Sequence, residues 1–169
     1  YRFILKTKDF GYATTPILSD YKTPSSCFEG EINDTGITIT KYNYNEENGC
    51  GKTVIIKNTP VTISGISGKI TVIGEGVFEK RGDGNPAYQV EEVFLSDSVE
   101  TIGKNSFKGS NLKELPDLRK VNSIGDYAFY NTKITEADLT DYPSSSTIGD
   151  YAFSSNVNLK TVKFSQSIA

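Results

Sequence analysis

Ile124-Gly125-Asp126-Tyr127-Ala128-Phe129 is the clearest of four related stretches that decide the fold of this chain. Each stretch, called here the Ile-Gly motif, contains Ile-Gly, two polar or small residues, a further small residue and Phe. Its isoleucines lie at positions 73, 102, 124 and 148, so successive copies are 29, 22 and 24 residues apart. A period of roughly 20 to 30 residues is typical of solenoids, which stack one supersecondary unit per repeat. The copies occupy residues 73–78, 102–107, 124–129 and 148–153.

A second motif recurs in step with the first and follows the pattern apolar-x-x-apolar-x-apolar. Its copies begin at residues 90, 112, 134 and 159, and in the second copy the third apolar residue, Leu118, comes one position late. Apolar residues that alternate with polar ones predict a short strand with one buried face. A single repeat cannot bury its apolar face alone, so we expect equivalent residues to stack in buried columns. One column is predicted to contain Val93, Leu115, Ala137 and Val162, and another Phe78, Phe107, Phe129 and Phe153.

The glycine that follows each isoleucine predicts a sharp bend, because glycine takes positive φ at little cost. Asp126 and Asp150 come directly after this glycine in two of the copies. An aspartate at this place is expected to cap a single helical or 3-10 turn that carries the phenylalanine inward.

Composition narrows the function classes. The chain has 169 residues, a formal net charge of −3 and no histidine. This length suits one domain or one repeat array. The sequence shows no basic stripe of the kind that nucleic-acid binding usually requires. Without histidine the chain lacks the commonest general base and metal ligand, so no cofactor or metal is expected. The sequence also lacks Met, which indicates a start after a processing site or an imposed boundary, and a membrane anchor is expected only upstream of Tyr1.

The segment before the repeats predicts a separate cap. We divide the chain into an N-terminal extension (1–26), a β cap (27–60) and the repeats (61–169). Alternating residues 28–32 and 37–42 flank an Asx- and Gly-rich turn and predict a β-hairpin. Cys27 and Cys50 are the only cysteines. In an exported protein they favour a disulfide, worth roughly 3 kcal/mol on the chain-entropy account, whereas two buried thiols are the alternative in a cytosolic one.

These motifs resemble the BspA-like leucine-rich repeat family. The resemblance lies in residues 123–129, followed by Leu-x-x-Val-x-Phe at 159–164, and residues 27–56 are similar to the segment that precedes such repeats in Gram-positive gut bacteria. It implies a leucine-rich-repeat solenoid of the α/β class, rich in strands with short 3-10 or helical turns. About four to five repeats would form a right-handed stack behind an N-terminal β-hairpin cap. It also implies a secreted or surface-displayed bacterial protein that binds or adheres and has no catalytic residues.

The strand motif carries a candidate binding surface. Glu92, Glu114, Glu136 and Thr161 occupy equivalent positions, which stacked strands would place about 5 Å apart. This predicts an acidic stripe on a concave face, offered to a basic partner or a cation. The ligand of the whole module is expected to be a protein or glycan, on a host surface or in extracellular matrix. The alternative is a solvated face whose charges are offset by lysines. The next column contains Phe94, Pro116, Asp138 and Lys163, in which Phe94 beside Pro116 would form an apolar anchor.

Arg81-Gly82-Asp83, in an insertion after the first Ile-Gly motif, is the integrin-recognition tripeptide. One interpretation is host-cell attachment, and the other is a Gly-rich turn, which these residues favour in any case.

Three classes of function remain at this stage. The first is an extracellular binding module, expected to be a monomer, and the second is a structural spacer or pilin-like surface component. An enzyme is the third and least supported class, because no nucleophile is paired with a base. Adjacent carboxylates such as Glu91 and Glu92 would point to opposite faces of a strand.

Overall fold

The computed structural model describes residues 22–164, whose regular elements are short strands and 3-10 helices joined by turns. Three 3-10 helices occur among them, at Ser25–Cys27, Glu46–Asn48 and Pro86–Gln89. No helix in this part of the chain has the length and apolar character needed to cross a membrane. The described strands are β1 (Phe28–Ile32), β2 (Ile37–Tyr42), β3 (Thr53–Ile55), β4 (Val61–Ile63), β5 (Ile66–Gly68), β6 (Ile70–Ile73), β7 (Glu92–Phe94), β8 (Thr101–Ile102), β9 (Ser123–Ile124), β10 (Glu136–Leu139), β11 (Thr147–Ile148) and β12 (Thr161–Phe164).

In the largest sheet of the described residues, four strands end at the isoleucines of the Ile-Gly motifs and two come from the cap. It has six strands in the order β1-β2-β6-β8-β9-β11. β1 and β2 form the predicted antiparallel hairpin, and every later neighbour is parallel. Ile73, Ile102, Ile124 and Ile148 stand in register across this sheet. The first three isoleucines are buried, whereas Ile148 is 43% exposed, because no strand beyond β11 covers it within residues 22–164.

Backbone hydrogen bonds continue between copies after the strands end. The N–H of Phe78 donates to the carbonyl of Ser106 (2.7 Å), and that of Phe107 donates to the carbonyl of Ala128 (2.8 Å). The N–H of Phe129 donates in the same way to Ala152 (2.8 Å). Each of the first three Ile-Gly motifs is therefore bonded to the next copy along both its strand and its turn, and the copies depend on one another for their backbone partners.

The phenylalanine column is confirmed. The rings of Phe78 and Phe107 lie 4.9 Å apart, and those of Phe107 and Phe129 lie 5.2 Å apart, in nearly parallel planes. Phe153 continues the stack at 5.2 Å from Phe129, and Tyr42 of β2 extends it at the other end, 5.3 Å from Phe78. The cap thus contributes a ring to the same core as the repeats.

The predicted reason for the glycine after each isoleucine is wrong. Positive φ occurs two residues further along, at Gly76, Asn105, Tyr127 and Tyr151. The glycines themselves are needed because neighbouring copies approach closely: a Cβ on Gly125 would lie 2.5 Å from the backbone nitrogen of Lys104. A Cβ on Gly74, Gly103 or Gly149 would likewise lie 3.0 Å or less from a backbone atom of a neighbouring strand or turn.

Asp126 was predicted to cap the turn of its own motif, but in the structure its carboxylate contacts the next copy. Its carboxylate accepts a hydrogen bond from the backbone N–H of Asp150 at 2.9 Å. The turns that carry the phenylalanines inward are hydrogen-bonded turns rather than 3-10 helices. Asp126 therefore stabilises the stacking of two repeats.

The second motif does not form a continuous ladder. β3 pairs with β7, and β10 pairs with β12, but residues 112–118 form no strand between these two pairs. Val93 and Ala137 are buried as predicted and Leu115 is half-buried, whereas Val162 is 44% exposed. The predicted column is thus interrupted where Pro116 supplies no N–H, and it is uncovered at β12, the last strand described.

The cap is joined to the repeats by strand pairing. β2 lies beside β6, β3 lies beside β7, and Cys27 and Cys50 form a disulfide within the cap. Both cysteines are buried, and the hydroxyl of Tyr42 donates to the carbonyl of Gly51 at 2.8 Å. The domain boundaries stay predictions, and most of the predicted extension 1–26 lies outside the described residues.

The disulfide joins residues with a sequence separation of 23. Removing it is expected to lower the free energy of unfolding by roughly 3 kcal/mol, because the unfolded chain is no longer restricted by this closed loop. Urea unfolding of the double variant Cys27→Ser/Cys50→Ser, compared with the oxidised protein, measures the change. A denatured but unreduced sample that reacts with two equivalents of thiol reagent would contradict the disulfide itself.

Candidate functional site

The predicted stripe is divided between two strand pairs and an irregular segment. Glu136 stands opposite Thr161 and Asp138 opposite Lys163, in the register of β10 and β12. Glu92 lies on β7, where the hydroxyl of Thr53 donates to its carboxylate at 3.2 Å. Glu114 is exposed but belongs to the segment without a strand. The four predicted positions therefore do not form one uninterrupted column.

Phe94 and Pro116 were predicted to form an exposed apolar anchor. The prediction is wrong for Pro116, because its side chain is buried, while Phe94 is half-buried. In a regular copy, residue 116 would face outward. Here Pro116 and Leu118 are both buried with exposed Asp117 between them, so the late position of Leu118 has shifted the alternation by one residue. Pro116 consequently belongs to the floor of the surface and offers little area to a partner.

Several charges on this surface are already paired. The Lys163 ammonium contacts the carboxylates of Glu136 and Asp138, and Lys113 contacts Glu91 of the preceding copy. Hydrogen bonds from Thr140, together with Lys163, hold the pKa of Asp138 below its ordinary value. The contact between Lys163 and Glu136 supports the interpretation in which lysines offset part of the acidic stripe.

A cleft of about 580 Å³ opens where the strand ladder is interrupted. One wall consists of residues 113–119, and the other consists of β10 and the loop that follows it to Tyr142. We call this feature the β10 cleft. Its lining includes three of the predicted residues that remain exposed, namely Glu114, Glu136 and Asp138.

Further lining residues escaped the sequence analysis. Asp117, Arg119, Asp141 and Tyr142 also border the β10 cleft. The guanidinium of Arg119 contacts the Asp117 carboxylate at 2.6 Å, and this hydrogen bond lowers the pKa of Asp117. The hydroxyl of Tyr142 donates to the carbonyl of Thr147 at 2.8 Å, which fixes its ring at the cleft. The only sequence signal for this cleft was the late position of Leu118.

Arg81, Gly82 and Asp83 lie in an exposed loop, as the insertion predicted. The Nε of Arg81 donates to the Glu79 carboxylate at 2.9 Å, and the Asp83 carboxylate accepts from the N–H of Asn85 at 2.9 Å. Both charged side chains thus have local partners, and integrin recognition stays a prediction.

Within residues 22–164, no group of three or more His, Cys, Asp or Glu side chains is placed to hold a metal ion. In the β10 cleft, Arg119 contacts Asp117, and Lys163 contacts both Glu136 and Asp138.

Comparison with known proteins identifies the repeats. Residues 86–169 match the BspA type leucine rich repeat region in six copies. No curated protein matches the chain. A leucine-rich repeat protein from Bacteroides capillosus is similar in structure, with 25% identity, a TM-score of 0.60, and coverage of 82% of this chain and 94% of that one.

Two further solved structures have a similar fold. A leucine rich cell surface protein from Faecalibacterium prausnitzii has 25% identity and a TM-score of 0.55, covering 82% of this chain and 41% of that one. The pneumococcal vaccine antigen PcpA has 20% identity and a TM-score of 0.56, covering 84% of this chain and 39% of that one. At 20% identity, the comparison with PcpA shows a similar fold and nothing about function.

Proposed function

We propose that this chain, whose residues 86–169 belong to the BspA type leucine rich repeat region, is a non-enzymatic binding module at the cell surface or outside the cell. Its ligand is a protein or a glycan, of the kind found on a host surface or in extracellular matrix. The protein acts as a monomer, and its repeats form a right-handed stack.

One observation carries this proposal: the β10 cleft interrupts the strand surface and gathers charged, exposed side chains around about 580 Å³ of open space. Clefts of several hundred Å³ are the usual size of ligand sites. The Faecalibacterium prausnitzii protein of similar structure is described as a cell surface protein, which agrees with an external location. Fold alone does not name the ligand.

A matched pair of triple variants tests the role of the acidic side chains. In Glu92→Gln/Glu114→Gln/Glu136→Gln the net charge rises by three while side-chain shape is kept, so binding of a basic ligand should weaken at least about tenfold at low salt. The control Glu31→Gln/Glu47→Gln/Glu100→Gln changes the same charge at exposed positions outside the cleft and should bind like the original protein.

The measurement is binding to an array of glycans and extracellular-matrix proteins, followed by titration of each captured ligand. If both triple variants bind equally well, the acidic side chains are only a solvated surface. If the array captures nothing, the structural-spacer alternative is favoured over a binding module.

A further inference from the structure

Within residues 22–164, β10 has a strand partner on one side only. Its register with β12 and the bond from the N–H of Lys160 to the carbonyl of Thr135 (2.9 Å) direct the backbone groups of residues 135, 137 and 139 toward β12. Neighbouring residues of a strand direct their N–H and C=O groups to opposite sides. The backbone groups of Glu136 and Asp138 therefore face the β10 cleft.

The opposite wall leaves these groups without a backbone partner. Just before the cleft, the copies are joined by hydrogen bonds from Lys113 to Glu91 (3.0 Å) and from Lys133 to Leu112 (2.9 Å). Beyond that point no backbone hydrogen bond joins residues 113–119 to residues 135–139. Pro116 has no N–H to offer, and the late Leu118 takes the segment out of register. An open strand edge thus lies inside the repeat array.

The charge of the β10 cleft indicates which kind of peptide segment could pair with the open edge of β10. Its lining carries five carboxylates and the two cations Lys113 and Arg119. Lys163 of β12 offsets a further charge, which still leaves an excess of two carboxylates. A second copy of this chain, with a net charge of −3, is a poor occupant. A cationic segment is favoured.

We propose that the β10 cleft binds an extended, basic peptide segment of a partner protein, which adds as a strand to the open edge of β10. Main-chain hydrogen bonds supply affinity in this mode of recognition, and alternate side chains supply specificity. Exposed Glu136 and Asp138 alternate with buried Ala137 and Leu139. Basic residues at every second position of the peptide therefore meet carboxylates across the pair. This inference rests on the proposed binding function and specifies its partner.

Carboxylates at a strand edge also have a protective role, because charge at an edge prevents unwanted pairing. The two roles are compatible, since carboxylates repel acidic strands, disfavour apolar ones and attract a cationic one. The partner should be selected by its charge and released at high salt, where the attraction of exposed charges is screened.

The test uses the intact chain and a fluorescent ten-residue peptide in which Lys alternates with Val or Thr. Its affinity at about 50 mM salt should be at least about tenfold higher than at 500 mM, and a peptide with Glu in place of Lys should not bind. Two further peptides carry N-methyl groups on alternate amides, either on the Lys residues or on the residues between them. One should lose at least about tenfold in affinity, and the other should stay within about threefold, because only one set of amides faces β10.

Hydrogen exchange supplies a second measurement that needs no substitution. Bound peptide should slow exchange at the amides of Glu136 and Asp138, with little change at Leu139, which already faces β12. Asp138→Asn, which keeps the N–H, should weaken binding through charge alone, whereas Asp138→Pro removes the N–H on the cleft side and should abolish it.

Two results would overturn the proposal: no binding of the basic peptide, or equal binding of both N-methylated peptides, which indicates attraction without strand pairing. If the array captures a ligand that depends on Glu92, Glu114 and Glu136 while either result holds, the binding function stands and only the strand-addition inference fails. If neither array ligand nor peptide binds, both proposals are wrong.

Discussion

Phe107→Ala is expected to lower the free energy of unfolding by about 3 to 5 kcal/mol, the range for removing a fully buried phenylalanine. Phe107 is completely buried, and its ring lies between those of Phe78 and Phe129. The vacant space would fall between two copies whose backbones are hydrogen-bonded on both sides of it, so neighbouring rings have little freedom to close it. Because repeat proteins gain stability through interfaces between neighbouring units, one truncation weakens two of them.

Phe164→Ala is the matched control, since the same atoms are removed from a side chain that is 55% exposed. Its effect should stay below about 1 kcal/mol. Urea unfolding followed by circular dichroism measures both variants. Equal losses for Phe107 and Phe164 would show that the ring column is not the main contributor to the core.

Gly125→Ala is expected to destabilise by about 3 to 5 kcal/mol, although it adds only one methyl group. The new Cβ would lie 2.5 Å from the nitrogen of Lys104 and 2.8 Å from the carbonyl carbon of Gly103, and backbone atoms cannot turn aside as a side chain can. Overpacking typically costs about 1 to 3 kcal/mol. Separating the copies also weakens the bonds from Gly125 to Ile102 (2.8 Å) and from Asn105 to Asp126 (2.9 Å), at about 1 kcal/mol each.

Gly82→Ala separates this clash from the general effects of losing a glycine. A Cβ on Gly82 would meet nothing within 4 Å, and its φ is not in the left-handed region. Its stability should change by less than about 0.5 kcal/mol. Thermal unfolding of the two variants decides the matter, and an unchanged Tm for Gly125→Ala would contradict the close approach of the backbones.

The candidate site was only partly predictable. The positions of Glu92, Glu136 and Thr161 on strands followed from the alternation, because burial of one face is recorded in the pattern itself. The inward turn of Pro116 and the uncovered Val162 did not follow. They depend on which neighbour each segment finds, and one residue of slip reverses the faces of a strand. The late position of Leu118 was visible in the sequence, but its consequence, an open edge on β10, was not.

The sequence by itself determined the repeat period, the hairpin of the cap and the column of phenylalanines, because each is a regular spacing of apolar side chains that have one place to be buried. Only the tertiary structure decided that the Ile-Gly motifs, rather than the strand motifs, form the continuous sheet. It likewise decided that their glycines serve close packing between copies instead of a left-handed bend. These features depend on distances between backbones of different repeats, which no local pattern of side chains records.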